Sequence, residues 1–354
     1  MSTEMLDLEP IKRLSKDLKA AAATLTVEEV RYLVDLYYQI QDFRIQAASE
    51  VRAMEESKEP ATLVEWVFEN QRRIENSIKG ALDVYTDHEP TGMGLWAKNI
   101  VGIAEVLSAG FLAHISMQPW KCAHNIKKGD KSCNAKKPHG PECHTITINT
   151  VGQIWRFAGM DPTSHWEKGT KRPWNAKLKV LCWKAGESFY KVQNNPKDVY
   201  GHLIAQRKEL ETSRNYAGEF SDQARAILAA KNFSKDTESY QWYSGCLTLE
   251  SAKLLRHDLA QLEPIDANLK GDAKKKAKRE FDKKRRAIFA QYCGKPGSGV
   301  PMLPPAHIHA RACRWGVKIF LYHWFAEAFR RKWNKEPPMP YVIEHLGHVD
   351  LIKP

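Results

Sequence analysis

Apolar residues recur at helical intervals along most of the chain, and no sustained period-two alternation of the kind that marks strands interrupts them. Thr26 followed three residues later by Glu29 has the form of a capping box, and Val30, Leu33, Val34, Tyr37, Ile40 and Val51 follow at helical spacing. One long helix is expected to run from there to Met54. The polar stretch EESKEP, Glu55 to Pro60, breaks it, and a second helix is expected from Thr62 to Val84, ahead of HEPTGMG. These two read as an antiparallel hairpin arm over residues 1–90, a scaffold or a dimerisation arm.

Leu95 to Ile115 is apolar, with small residues at Gly102, Ala104, Ser108, Ala109 and Ala113 that let helices approach closely. From 116 to 147 the texture changes to Cys, His, Lys, Gly and Pro, which predicts an irregular insertion. Helical patterning resumes at Val151 and continues to Leu262, broken by GMDPTSHWEKGTKRPWN and NNPKDV. GKPGSGVPMLPP reads as a linker, and Ala306 to Trp333 as a last helix with an apolar, aromatic stripe. The expected fold is mainly α, a multi-helix chain containing a helix-hairpin-helix unit and an irregular Cys/His-rich insertion. Its organisation reads as an arm over 1–90, a helix-hairpin-helix domain over 91–262 with the insertion at 116–147, a basic arm and linker over 263–300, and a C-terminal helix and tail over 301–354 packing on the core.

Charge narrows the functional classes. Fifty-four Lys and Arg against 42 Asp and Glu leave +12, an excess that favours a polyanionic partner. Lys270 to Arg286, KGDAKKKAKREFDKKRR, concentrates that excess, with ten basic and three acidic residues. As a helix it would be cationic around most of its circumference, which argues against a packed role and leaves a solvated face or a phosphate-binding arm. Lys274, Lys275, Lys276, Lys283 and Lys284 are its candidate phosphate contacts. The N-terminus has no apolar signal region, and no segment approaches the roughly 18 apolar residues of a membrane span. Seven scattered cysteines, an odd number, fit a reducing, cytoplasmic compartment.

In Ile100-Val101-Gly102-Ile103-Ala104 a glycine sits between apolar residues with helical patterns on both sides, as a helix-hairpin-helix turn requires. Backbone N–H groups of such a turn and of the next helix N-terminus hold a phosphate without reading sequence. The strings GIAEVLSAGFLAHI, VGQIWRFAGMDP, WNAKLKVLCWKAG, NPKDVYGHLIAQRKE and HARACRWGVKIFLYHW then follow in order. From Trp96 to Lys208, and again in the last helix, this succession resembles the C-terminal part of the DEDD-type, RNA-guided insertion-sequence transposases. That part has a helix-hairpin-helix, an "AGLxP" turn and a "GNxxLRxxL" helix. The resemblance implies DNA handling in recombination. It stops short of the family's nuclease: residues 1–95 are too short and too helical for a RuvC-like sheet domain with four acidic metal ligands. The family's nucleophilic serine would fall at Trp166 and Glu167. Ser164 lies close by and is the substitute the sequence offers, with the alternative that it is only a turn former.

The insertion holds six metal-capable residues, Cys122, His124, Cys133, His139, Cys143 and His144. Thiolate and imidazole suit tetrahedral zinc, so a structural zinc on Cys122, Cys133, His139 and Cys143 is expected, against the alternative of a basic loop with incidental cysteines. Lys127 and Lys128 there, and Lys171 and Arg172 further on, join Gly102 as candidate phosphate contacts.

Three functions fit. The first is a nucleic-acid-binding, transposase-like protein, with DNA favoured over RNA, acting without strand cleavage of its own. The second is an enzyme modifying or excising bases, with Asp161, Ser164, His165 and Glu167, or His307 and His309, as its chemistry. The third is a structural protein that neutralises nucleic acid. The partner in each is nucleic acid rather than membrane, and a homo-oligomer stays open.

Overall fold

A computed structural model describes residues 16–115, 117, 121–122, 145–146, 148–235, 237–266, 269, 271–295, 299–347 and 352. It is mainly helical. In order come α1 Lys16–Ala23, α2 Val27–Glu56, α3 Thr62–His88, α4 Met93–Lys98, α5 Glu105–His114, β1 Lys121–Cys122, β2 Thr145–Ile146, α6 Val151–Phe157 and α7 Ala176–Lys191. Then follow α8 Tyr200–Tyr216, α9 Ser221–Ala230, α10 Glu238–Tyr243, α11 Leu249–Ala260, α12 Gly271–Tyr292, α13 Pro305–Trp333 and α14 Tyr341–Glu344. No helix among the described residues is long and apolar enough to cross a membrane.

The chain divides into two compact units, residues 1–203 with 314–354 and residues 204–313, and the divisions fall within α8 and within α13. In the first unit the capping box forms as the sequence predicts. Thr26 accepts from the Glu29 N–H, and the Glu29 carboxylate accepts from the Thr26 N–H at 2.8 Å. Those bonds to Thr26 hold the Glu29 carboxyl below its ordinary range. The helices α2 and α3 pack against one another across a short connection, and α3 runs one turn beyond the predicted Val84. Between them Glu75 is buried and ion-paired with Arg44, with Gln41 Nε2 donating to its other oxygen at 3.2 Å. Removing one member of such a pair leaves an uncompensated buried charge, a loss of about 3–5 kcal/mol.

The centre of this unit is aromatic. Phe111 of α5 meets Phe320 at 5.1 Å and Trp324 at 5.6 Å, Phe189 of α7 meets Phe320 at 5.4 Å, and Tyr200 meets Phe189 at 4.8 Å. Most of these pairs are edge-on or tilted, the arrangement that the ring quadrupole favours. The helices α4 and α5 are joined by a turn in which Gly102 has φ +93°, a conformation β-branched residues avoid. A Cβ at Gly102 would stand 2.9 Å from Phe189 Cδ1 and 3.3 Å from Val192 Cγ2. Ser188 Oγ donates to the Gly102 carbonyl at 2.6 Å, so the turn is fixed against α7.

At the edges of the predicted insertion, β1 and β2 pair antiparallel, Lys121 with Ile146 and Cys122 with Thr145.

The second unit has small cores. Phe220, Ala224, Tyr243, Leu303 and Ile308 form one, and Trp242, Leu247, Ala252, Leu255, Phe289 and Met302 another. Glu211 is buried among cations. Arg207 donates to it at 2.5 Å and Arg311 at 2.9 Å, and these arginines hold its carboxyl below the ordinary value against the cost of burial.

Candidate nucleic-acid interface

The densest charge on the described surface is α12. Its Lys, Arg, Ala and Glu residues are strong helix formers, and Asp272 sits in the first turn, where the helix dipole favours an acid. A packed role was argued against by its composition, yet α12 does pack. Ala277, Phe281, Arg285, Ile288, Phe289 and Tyr292 recur one turn apart and are removed from full exposure, as is Asp282 at the edge of their face, with Phe289 buried in the Trp242–Leu255 core. Tyr292 donates to Asp258 of α11 at 2.6 Å, which closes the α11–α12 pair. Phe281, Ile288, Phe289 and Tyr292 were enough, because only a narrow face of the helix has to be apolar.

The cations sort by face. At about 100° per residue, Lys275, Lys276, Arg279, Lys283 and Arg286 share an arc of roughly 100° on the side opposite the packed stripe. All five are exposed. They extend over about 16 Å of helix axis at roughly 1.5 Å per residue. Of the other expected contacts, Lys284 lies on a flank, and Lys274 lies in line with the packed stripe at its exposed N-terminal end. Asp272 lies 3.3 Å from Lys275, in a pair too exposed to be worth much. Like charges at i,i+4, as in Lys275–Arg279 and Arg279–Lys283, each cost a few tenths of a kcal/mol, about 0.2–0.5. Phosphate would offset that cost. Arg279 and Arg286 were not singled out from the sequence, although folding the run onto a 3.6-residue wheel would have found them.

A second basic surface belongs to the first unit and surrounds the loop between α6 and α7. Its ends are tied by the Asn175 N–H, which donates to the Phe157 carbonyl at 2.8 Å, while the Asn175 side chain caps α7 by accepting from Lys177 and Leu178. Three tryptophans each lie under a cation. Arg172 is 4.9 Å from the Trp166 ring, Lys179 4.1 Å from Trp174 and Lys318 4.3 Å from Trp155. Burial, followed by the neighbouring Arg314 and Arg172 charges, pushes the Lys179 ammonium below its ordinary value. Lys171 and Arg172, named from the sequence, lie on this surface. Lys179, Lys318 and the three ring contacts were not legible: Trp155 and Lys318 are 163 residues apart.

The proposed catalytic residues share that loop. Asp161 accepts from the Thr163 N–H at 2.9 Å and from its hydroxyl at 2.8 Å, and the Ser164 N–H bonds the Asp161 carbonyl at 3.2 Å. The Thr163 bonds hold Asp161 below the ordinary carboxylate range, so it is an ionised turn former. Among the described residues no hydrogen bond joins the Ser164 hydroxyl to Asp161, His165 or Glu167. His165 and Glu167 are exposed, and the Glu167 carbonyl closes the next turn onto Thr170. His307 and His309 are in the first turns of α13 and diverge. Tyr243 Oη lies 3.1 Å from His307 Nδ1, and His309 Nε2 lies 3.5 Å from Cys313 Sγ. That imidazole and thiol, one turn apart, are two donors of the kind a soft divalent metal takes.

The N-terminus of α5, where a phosphate would approach a helix-hairpin-helix, opens on a cavity of about 420 Å³ whose lining includes Lys79, Glu105, Lys184 and Glu187. Glu105, in the first turn of α5, pairs with Lys79 at 3.1 Å, and Lys184 lies 3.7 Å from the Tyr38 ring. Lys127, Lys128, Cys133, His139 and Cys143 lie outside the described residues, and Cys122 is placed only as backbone of β1. Comparison of the chain with protein-family models, with curated proteins and with solved structures finds no match.

Proposed function

We propose that this chain binds nucleic acid, DNA in the first place, as a transposase-like recombination or accessory protein whose own residues do not cut the strand. The observation that carries the binding is the exposed cationic arc of α12, set opposite its packed stripe. A phosphate strand carries a charge about every 3.4 Å of axis, so the arc matches about five phosphates. Contacts from these side chains to phosphate position the chain on the strand rather than specify a sequence. The transposase-like part rests on the ordered strings from Trp96 to Lys208 and in the last helix. The structural zinc on Cys122, Cys133, His139 and Cys143 belongs to the same reading, and metal analysis of the purified chain checks it.

The test is a titration of a short labelled duplex with the full chain over a series of salt concentrations. Replacing Lys276, Arg279, Lys283 and Arg286 with Gln should lower the slope of log K against log salt by about 3–4, at about 0.9 per phosphate contact. Exposed positions on a helix surface tolerate Gln, so the fold should survive. An unchanged slope removes α12 from the interface. In the same preparation, supercoiled and branched DNA with magnesium or manganese should stay intact, and nicking that disappears in Ser164→Ala would overturn the non-cleaving part.

A further inference from the structure

We propose that the tryptophan-bearing loop between α6 and α7 binds single-stranded nucleic acid, stacking an unpaired base on Trp166 while Lys168, Lys171 and Arg172 hold the adjoining phosphates. This rests on the nucleic-acid reading and names the strand form that this surface takes.

The Trp166 ring is the surface on which a base would stack. It is 40% exposed on a loop, where an indole forfeits the burial that makes tryptophan stabilising in a core. Its N–H is already used, donating to the Thr170 carbonyl at 2.7 Å, so the ring is held in one orientation and has no polar group left to satisfy. What it offers a ligand is a flat π surface. Arg172 lies over the ring at 4.9 Å, so a base stacked on the indole would have a guanidinium within reach of its phosphate.

The charge around the ring is mostly positive. Lys168, Lys171 and Arg172 are exposed on the loop, and Arg156 is exposed at the end of α6. Of the two loop acids, Asp161 is turned onto Thr163, which leaves Glu167 as the exposed one. The field is therefore attractive to an anion, and an aromatic ring set among cations suits a ligand that has both bases and phosphates.

Duplex and single strand differ in what they offer such a ring. In a duplex the base faces are covered by their neighbours, and uncovering one costs a few kcal/mol. An unpaired strand presents them at no such cost. The arc of α12 has no exposed aromatic residue and suits either form; the Trp166 surface suits only the open one.

The experiment uses the full chain and three labelled probes of equal length: a mixed-sequence single strand, its duplex and an abasic single strand with the same phosphates. Stacking on an aromatic side chain is worth about 1–3 kcal/mol per base, so Trp166→Ala should weaken single-strand binding about 5- to 150-fold. Duplex and abasic-strand affinities should stay within about twofold, and the salt slope should not change, because no phosphate contact is lost. Trp166→Phe should restore most of the affinity. The proposal is overturned if Trp166→Ala leaves single-strand binding intact, if it weakens all three probes alike, or if polyglutamate competes as well as the single strand does. A chain that binds the duplex normally but fails these arms loses this inference alone. One that binds no probe loses the function proposed above as well.

Discussion

Two surfaces of this chain are basic, and they are built on different principles. On α12 the cations repeat on a regular helix with no exposed ring among them, held in place by a narrow stripe in the Trp242–Leu255 core. Around the α6–α7 loop the cations are fewer and each of three lies on a tryptophan. A bare charge repeat has only Coulomb attraction to offer, so its binding should be steep in salt and indifferent to sequence. Cations set on rings add a term that salt does not screen. The net charge of the whole chain, +12, does not distinguish these surfaces; what lies beneath each charge does.

The comparison holds only if each surface depends on its own support, and removing a support tests it. Leu255 is fully buried in the core under α12. Leu255→Ala should cost about 3–4 kcal/mol through lost burial and a residual cavity. Hydrogen exchange should rise in α11 and α12, duplex binding should lose part of its salt slope, and the Trp166-dependent preference for single strands should persist. If exchange rises equally around α7, the two surfaces share one support and the contrast fails.

The converse variant is Gly102→Val. Its φ of +93° disfavours any β-branched residue, and the added atoms would collide with Phe189 and Val192 of α7. Strain of about 1–2 kcal/mol and overpacking of about 1–3 kcal/mol give an expected loss of about 2–5 kcal/mol. Asn175 caps α7 and closes the tryptophan loop, so the single-strand preference should weaken while the α12 salt slope holds. A stable Gly102→Val protein with reduced affinity for every probe would instead put the phosphate at this turn, as the helix-hairpin-helix resemblance implies.

How much of this was legible in the sequence follows the range of each interaction. The Thr26–Glu29 cap, the long α2 and α3, and the glycine turn between α4 and α5 are local, and three or four residues announced each one. The packed stripe of α12 was local too, but its apolar residues were outnumbered by cations and composition hid them. The pairing of Trp155 with Lys318 was beyond any local pattern, since it exists only when α13 is laid beside α6. Ser164, Asp161, His165 and Glu167 were close in sequence and remain close in space. Proximity gave them turn bonds rather than a nucleophile and its base.

The smallest effect expected is on the response to acid. His114 at the end of α5 meets the Asn175 amide, with Asn175 Nδ2 3.1 Å from His114 Nδ1. An amide donor requires that nitrogen to be unprotonated, the state of a neutral ring. Burial first, then the Arg31 and Lys177 charges, lower the ring from 6.5 to about 4, against the opposing pull of Asp35. Between those values the unfolded chain binds a proton that the folded chain does not. Stability therefore rises with pH through this window, is fully present above 6.5 and falls on acidification towards 4. His323, also lowered chiefly by burial, acts in the same direction. Thermal melts at pH 7 and pH 5 should show the first unit losing a few degrees, and His114→Gln should flatten that loss. A His114→Gln protein with the native pH profile would assign the response to other groups, and the tryptophan loop would then have no acid-sensitive anchor at Asn175.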